Sequence, residues 1–224
     1  MDMNRITVYQ YKTIRVGTGA AGHNAAVTLH KLGQKDIALN TEGRYMGTSR
    51  NTGSDKQTYY KMTQCGSEPD SVRKMAKTLF EGGCVDGDIA MAEAAGSLRA
   101  FYHLVDIGVP FPFNKSGEYV GYKTDHDPLK RGISAGPLTS KYMTECLERQ
   151  AEERGIPFFD GYQAVRLLTE EKDGEKRAAG IIALNKQKAA SPDERYAVFS
   201  AVNIIWDTGG EAGMDQDSVD PVRQ

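Results

Sequence analysis

Apolar and polar positions alternate most informatively near the start of the chain. Residues 12–16 are β-prone and stop at Gly17; Ala25, Ala26, Leu29 and Leu32 then recur at helical spacing, and Gly33 supplies a C-terminal stop. Lys35-Asp36-Ile37-Ala38-Leu39 reads as a second strand that runs out near Asn40-Thr41-Glu42, which makes a βαβ unit. Met3 to Tyr11 is poorly periodic and is expected to be an edge strand. The pattern predicts a helix over 69–82, with Val72, Met75, Ala76, Leu79 and Phe80 on one face. It predicts another from Asp88 to Ile107, with Ile89, Ala92, Ala95, Leu98, Phe101, Tyr102 and Val105 inside. Gly108, Pro110 and Pro112 end that helix. Residues 113–138 are irregular. A third helix follows over 140–154, with Met143, Cys146, Leu147 and Ala151 inward, then a short strand at Ile156-Pro157-Phe158-Phe159. Three runs, 163–168, 178–184 and 196–202, are separated by polar turns and read as an antiparallel meander forming a second sheet. Asn203 to Asp207 returns as a buried strand before Thr208-Gly209-Gly210.

The expected fold class is therefore α/β, a Rossmann-like domain with a central parallel sheet, helices on its faces and an inserted three-stranded antiparallel β-meander. Two positions conflict with this picture. A parallel strand buried on both faces is nearly all apolar, yet Arg15 and Asn40 fall in the two best strands. Arg15 either snorkels or marks an edge.

Gly17, Gly19 and Gly22 form G-x-G-x-x-G between the first strand and the helix. The first glycine allows the tight turn, the second lets backbone approach a pyrophosphate, and the third permits close helix–sheet packing. The helix N-terminus then presents unpaired N–H groups and a positive dipole end to phosphates. Glu42 stands near the place, about 20 residues on, where an acidic residue meets ribose hydroxyls. The long polar stretch from Gly43 to Tyr60 holds no apolar run fit for a core element, and next to a phosphate loop it reads as a segment that wraps a cofactor.

Composition narrows the classes. With 224 residues, 39 % hydrophobic, and a net charge of −2, the chain is sized for one large domain or one and a half small ones with no polyelectrolyte partner implied, so no nucleic acid is expected. The mean hydropathy is −0.52, no run reaches a membrane span, and the N-terminus lacks a signal-peptide core, which gives a cytoplasmic expectation without direct membrane insertion. The three cysteines, Cys65, Cys84 and Cys146, are far apart and read as free thiols. The four histidines form no metal-ligand spacing. The Thr124-Asp125-His126-Asp127-Pro128 segment reads as a polar loop braced by Asp side chains, and no metal is expected.

Assembled in order, these parts resemble the flavoprotein subunits of the fumarate reductase and succinate dehydrogenase family over nearly the whole chain. The resemblance is carried by Gly17-Thr18-Gly19-Ala20-Ala21-Gly22, by Gly47-Thr48-Ser49-Arg50-Asn51-Thr52-Gly53, by Ser134-Ala135-Gly136-Pro137-Leu138-Thr139, by the meander, and by Thr208-Gly209-Gly210. It implies that residues 1–224 are an FAD-binding domain that stops before the family's capping, substrate-binding domain. It further implies that Gly17, Gly19 and Gly22, with Ala20 and Ala21 between them, line the FAD pyrophosphate. Glu42, or Asn40 and Thr41 just before it, would meet the adenosine ribose. Thr48, Ser49, Arg50, Asn51, Thr52, Gly53 and Ser54 would run along the diphosphate, ribityl chain and flavin. The Ala164 backbone would read the adenine edge, and Thr208, Gly209 and Gly210 would close the pocket. Some members attach FAD through a histidine in the wrapping loop; here Arg50 stands nearest and no histidine lies between His30 and His103, so FAD is expected to be non-covalent.

In an intact relative the flavin would exchange a hydride with a C–C bond beside a carboxylate, which implies a small carboxylate substrate and an electron-transfer partner. The catalytic acid is expected beyond residue 224, and none is assigned in this chain. Arg50 beside the flavin would stabilise negative charge on the reduced ring, with a surface arginine as the equal alternative. Asp207 stands where the family usually has alanine, and Arg15 and Asn40 stand where it has aliphatic residues. Two other readings stay open at this point: an NAD(P)-dependent Rossmann dehydrogenase, and a non-catalytic binding module that keeps the fold, the second favoured by Arg15, Asn40 and Asp207.

Overall fold

In the computed structural model, residues 6–64, 69–83, 85–125 and 127–209 are described. In chain order the elements are β1 (Thr7–Val16), α1 (Ala20–Lys31), β2 (Ile37–Thr41), α2 (Thr48–Asn51), β3 (Tyr59–Tyr60), α3 (Val72–Glu81), α4 (Gly87–Asp106), β4 (Gly132–Ile133), α5 (Thr139–Glu153), β5 (Phe158–Asp160), β6 (Tyr162–Lys172), β7 (Glu175–Asn185) and β8 (Tyr196–Trp206). The chain divides into two compact units, Met1–Asn51 with Glu148–Gln224, and Thr52–Leu147.

The first unit is built on a six-stranded sheet in the order β5-β2-β1-β8-β7-β6. The first four strands run parallel, while β7 and β6 are antiparallel additions. Two expectations change here. The lead-in before residue 12 is not an edge, because residues 7–16 form one strand that β8 accompanies from Thr7↔Ala197 to Val16↔Trp206. Nor is the meander a second sheet. The segments 196–202 and 203–207 have no turn residue between them and fuse into β8, which pairs with β7 over its first half and with β1 over nearly its whole length.

Alternation sorts the side chains of β1 and β2 onto two faces. One face carries Ile14, Val16 and Ala38 with Ile181, Ala183 and Phe199. Aromatic rings close over it: Tyr9 stacks on Phe199 at 4.9 Å between centroids, and Phe159 meets Phe199 edge-on at 4.8 Å. The other face, through Ile37 and Leu39, receives Ala26 and Val27 of α1 together with Ala151 and Ile156. The inward residues of α1 are Gly22, His23, Ala26 and Val27. Leu32, expected to be inside, lies past the end of the helix and is 76 % exposed.

In the second unit, Met75 and Ala76 of α3 pack with Ala90 and Ala94 of α4. The buried stripe of α4 is Ala90, Ala94, Ser97, Phe101 and Leu104. The bulkier stripe expected from sequence shares only Phe101 with it, and Ile89 is 64 % exposed. Small residues let two helix axes approach closely, so the alanine row wins the contact. Phe80 of α3, expected inside, is 58 % exposed.

This unit also buries Arg131, whose Nε and Nη2 donate to the two oxygens of Asp70 at 2.9 and 2.7 Å, and whose Nη1 donates to Thr78 Oγ1 at 2.9 Å and Asp127 Oδ1 at 3.3 Å. Burial opposes the Arg131 charge, but the bonds to Asp70 and Tyr60 outweigh it and hold the guanidinium pKa above its usual range. Asp127 also accepts from the Leu129 N–H at 2.8 Å, so the polar loop is braced by its aspartate. His126, Cys65 and Cys84 lie outside the described residues; Cys146 is a free, buried thiol. Among the described residues, no cluster suits a metal ion and no helix is long and apolar enough to cross a membrane.

Asn40 is fully buried in β2, in register between Val16 and Phe159, and neither polar atom of its amide finds a hydrogen-bond partner. A buried amide without partners costs on the order of 1–3 kcal/mol. Asn40→Val is therefore expected to stabilise the chain by about that amount, read as a higher urea midpoint at unchanged slope.

Candidate functional site

The carboxyl ends of β1, β2 and β8 meet at one edge of the sheet, and a cleft opens there. It is lined by Val16 to Ala21, by Asn40 to Gly43, by Met46 to Ser49, and by Ala164, Asp207, Thr208 and Gly209. Clefts outside the carboxyl ends of parallel strands are where open α/β sheets bind ligands.

The first turn out of β1 depends on Gly17. Its φ is +108°, in the region that side chains resist, and the Asp207 carbonyl occupies the place a Cβ would take. The Gly17 N–H donates to the Asn40 carbonyl at 2.9 Å, and the Thr18 hydroxyl donates to Thr41 Oγ1 at 3.0 Å, which ties the loop to the end of β2. Gly19 is the N-cap of α1 and offers no side-chain cap, and the first turn carries no acidic residue. The leading N–H groups of α1 are thus left to a ligand.

Gly19 differs from Gly17 in an informative way. Its φ of −74° suits any residue. Among the described residues a Cβ there would meet only Ser49 Oγ, at 3.4 Å. Neither backbone conformation nor packing among the described residues requires glycine at this position. Gly47 faces it, its own Cβ position 3.7 Å from Gly19 Cα.

Gly22 serves an unexpected neighbour. A Cβ there would lie 2.6 Å from Arg15 Nη1 and 2.7 Å from the Gly17 carbonyl. Arg15 is completely buried in the middle of the sheet, neither snorkelling nor at an edge. It forms an ion pair with Asp207 and donates from Nη1 to the Gly17 carbonyl at 2.9 Å. Burial draws its pKa down to about 10, far enough above neutrality for the charge to persist.

Of the sequence-derived candidates, Gly17, Gly19, Ala20, Ala21, Asn40, Thr41, Glu42, Thr48, Ser49, Ala164, Thr208 and Gly209 all border this one cleft. Gly22 stands behind it. Glu42 is engaged by Lys186 at 2.9 Å, and Thr41 accepts from the Gly43 N–H at 3.3 Å. Arg50 is bound by Glu148, which also holds Arg44, and its guanidinium lies 5.0 Å from the Tyr45 ring centre. Asn51 turns back to the carbonyls of Tyr45 and Gly47. Thr52, Gly53 and Ser54 belong to the second unit, where the Ser54 N–H donates to the Pro137 carbonyl at 3.0 Å. Gly210 lies outside the described residues. Val16, Thr18, Gly43, Met46, Gly47 and Asp207 line the cleft and were not among the candidates. Thr18 and Gly47 sit inside the quoted motifs, so a stricter reading of those motifs would have found them.

The family model described as "FAD binding domain" matches residues 13–222. No curated protein sequence matches the chain. Solved structures share its fold at low identity. An E. coli quinol fumarate reductase chain superposes with a TM-score of 0.74 at 19 % identity, covering 92 % of this chain and 33 % of that one. A flavocytochrome c3 fumarate reductase gives 0.72 at 18 %, covering 90 % and 34 %. The 3-ketosteroid-Δ4-(5α)-dehydrogenase of Rhodococcus jostii RHA1 gives 0.69 at 18 %, covering 90 % and 46 %. The chain thus spans less than half the length of each.

His23, buried on the inner face of α1, carries a testable consequence. Burial first, and then the charges of Arg15, Arg50 and Arg44, push its pKa down to about 4, with the Thr18 backbone pulling weakly the other way. The fold therefore holds His23 neutral. Above the unfolded pKa of about 6.5 the group leaves stability unchanged. As pH falls toward 4, only the unfolded chain takes the proton and stability drops, by up to about 3 kcal/mol, and the loss is complete below the folded pKa. Urea titrations of wild type and His23→Met between about pH 7 and pH 4 should show a shallower acid loss in the variant.

Proposed function

This chain belongs to the FAD binding domain family, and on that premise we propose that residues 1–224 are the FAD-binding portion of a flavin oxidoreductase of the fumarate reductase and succinate dehydrogenase type. The observation that carries the reading is Gly19, a glycine that the chain's own backbone and packing do not need, at an uncapped helix N-terminus bordered by nearly every candidate position. The residues present fit the cofactor: two opposed glycines leave a floor without side chains for a diphosphate, and free N–H groups face it.

Gly17 and Gly19 hold the diphosphate against the start of α1. Thr41 and Glu42 sit where the adenosine ribose would lie, with Lys186 holding the Glu42 carboxylate in place. The Ala164 backbone borders the adenine end, and Thr208 and Gly209 close the opposite wall. When bound, FAD supplies hydride exchange with a C–C bond beside a carboxylate, the chemistry being the cofactor's and the positioning the protein's. The carboxylate substrate, the acid that moves the proton and the electron-transfer partner are assigned to the remainder of an intact enzyme. FAD is held without a covalent bond, since Arg50 occupies the place of the attaching histidine.

Visible absorbance of the purified chain before and after adding FAD tests this reading. A flavin spectrum is expected, with the flavin released into the supernatant on acid denaturation; a chain that stays colourless in excess FAD overturns it. Gly19→Ala separates cofactor contact from folding. It should weaken FAD binding by at least about tenfold while leaving the apo unfolding free energy, read from urea titration, within about 0.5 kcal/mol of wild type.

A further inference from the structure

Asp207 is an odd wall for a phosphate site. It borders the cleft beside Gly17, Gly19, Thr208 and Gly209, and its side chain keeps 26 % exposure. A carboxylate there opposes any diphosphate laid on the loop. Its only described ion-pair partner is Arg15, which is wholly buried beneath the loop, bonded to the Gly17 carbonyl and nested in the space that Gly22 leaves. Of the other cations of this region, Arg44 and Arg50 are held by Glu148 and, for Arg44, by Glu152 as well, while Lys186 pairs with Glu42. Arg15 is thus the cation beneath the glycine loop whose partner borders the cleft, as Glu42, the partner of Lys186, does at the end of β2.

We infer that Asp207 is an internal competitor of the cofactor diphosphate: its carboxylate spends the charge that Arg15 would otherwise lend to the phosphates through the glycine loop, and so sets how tightly this chain holds FAD. The inference rests on the FAD reading above. With the pair intact, the region beneath the loop is close to neutral, and binding depends on the N–H groups and the helix dipole. Removing the Asp207 charge leaves Arg15 buried and uncompensated until phosphates arrive. Fold stability and cofactor affinity then move in opposite directions.

The test compares FAD dissociation constants, by flavin fluorescence, and melting temperatures with and without FAD, for wild type, Asp207→Asn, Arg15→Met and the neutral double variant Arg15→Met/Asp207→Asn. Asp207→Asn should bind FAD about tenfold more tightly, melt lower without FAD, and gain more from FAD than wild type does. Arg15→Met should bind more weakly than wild type, and the double variant should return close to it. A purely structural pair predicts the same lower melting temperature for Asp207→Asn but the opposite change in affinity, with FAD binding lost as well. Equal or weaker binding by Asp207→Asn overturns the inference, as does an Asp207→Asn chain that stays unfolded even in excess FAD, because the phosphates would then have failed to supply the missing charge. FAD binding by wild type with no change in Asp207→Asn defeats the inference alone. Failure of wild type and every variant to bind FAD defeats the cofactor reading and the inference with it.

Discussion

Strand β1 is gripped on both sides by parallel partners, β2 along its second half and β8 along nearly its whole length, and the rest of the first unit follows from that constraint. Parallel pairing forces three chain segments to leave the sheet at the same edge. Their exits at Val16, Thr41 and Trp206 create the cleft, and the crowding there makes Gly17 obligatory, because the Asp207 carbonyl fills the only space a side chain could use. The same double pairing places Arg15 at the centre of the sheet, where a charge is tolerable only with a partner. The partner comes from the end of β8.

Much of this was legible in the chain itself. The glycine spacing, the helical recurrence of Ala25, Ala26 and Leu29 and the short Ile37–Leu39 run locate the βαβ unit correctly, because each is a local consequence of backbone geometry. The polar stretch after Glu42 contains only the single-turn α2 and the two-residue β3, as its lack of apolar runs implied. Ala164 and Thr208 reached the cleft from distant segments through a resemblance in motif order, a signal that periodicity alone does not contain.

What stayed illegible is non-local. Nothing near Arg15 announces Asp207, 192 positions away. The inner face of α4 has two competing stripes, and the choice of the alanine row depends on what α3 presents to it. The continuity of β8 was hidden because its two halves face different neighbours, β7 and then β1 alone, so a change of environment resembled a change of element. The ion pair of Arg50 with Glu148 is likewise non-local, since no pattern near residue 50 reveals the position of Glu148 in α5.

The long sequence separation between β1 and β8 bears on the order in which the molecule is made. A cleft whose wall is Asp207 to Gly209 does not exist while the ribosome is still adding residues before that point. The first βαβ unit emerges early with its glycine loop complete but roofless, and Arg15 waits without Asp207 until β8 docks. Closing so long a loop is slow relative to local structure. The wall from Asp207 to Gly209 is thus added only once β8 is in place, and until then Arg15 lacks Asp207 as a partner.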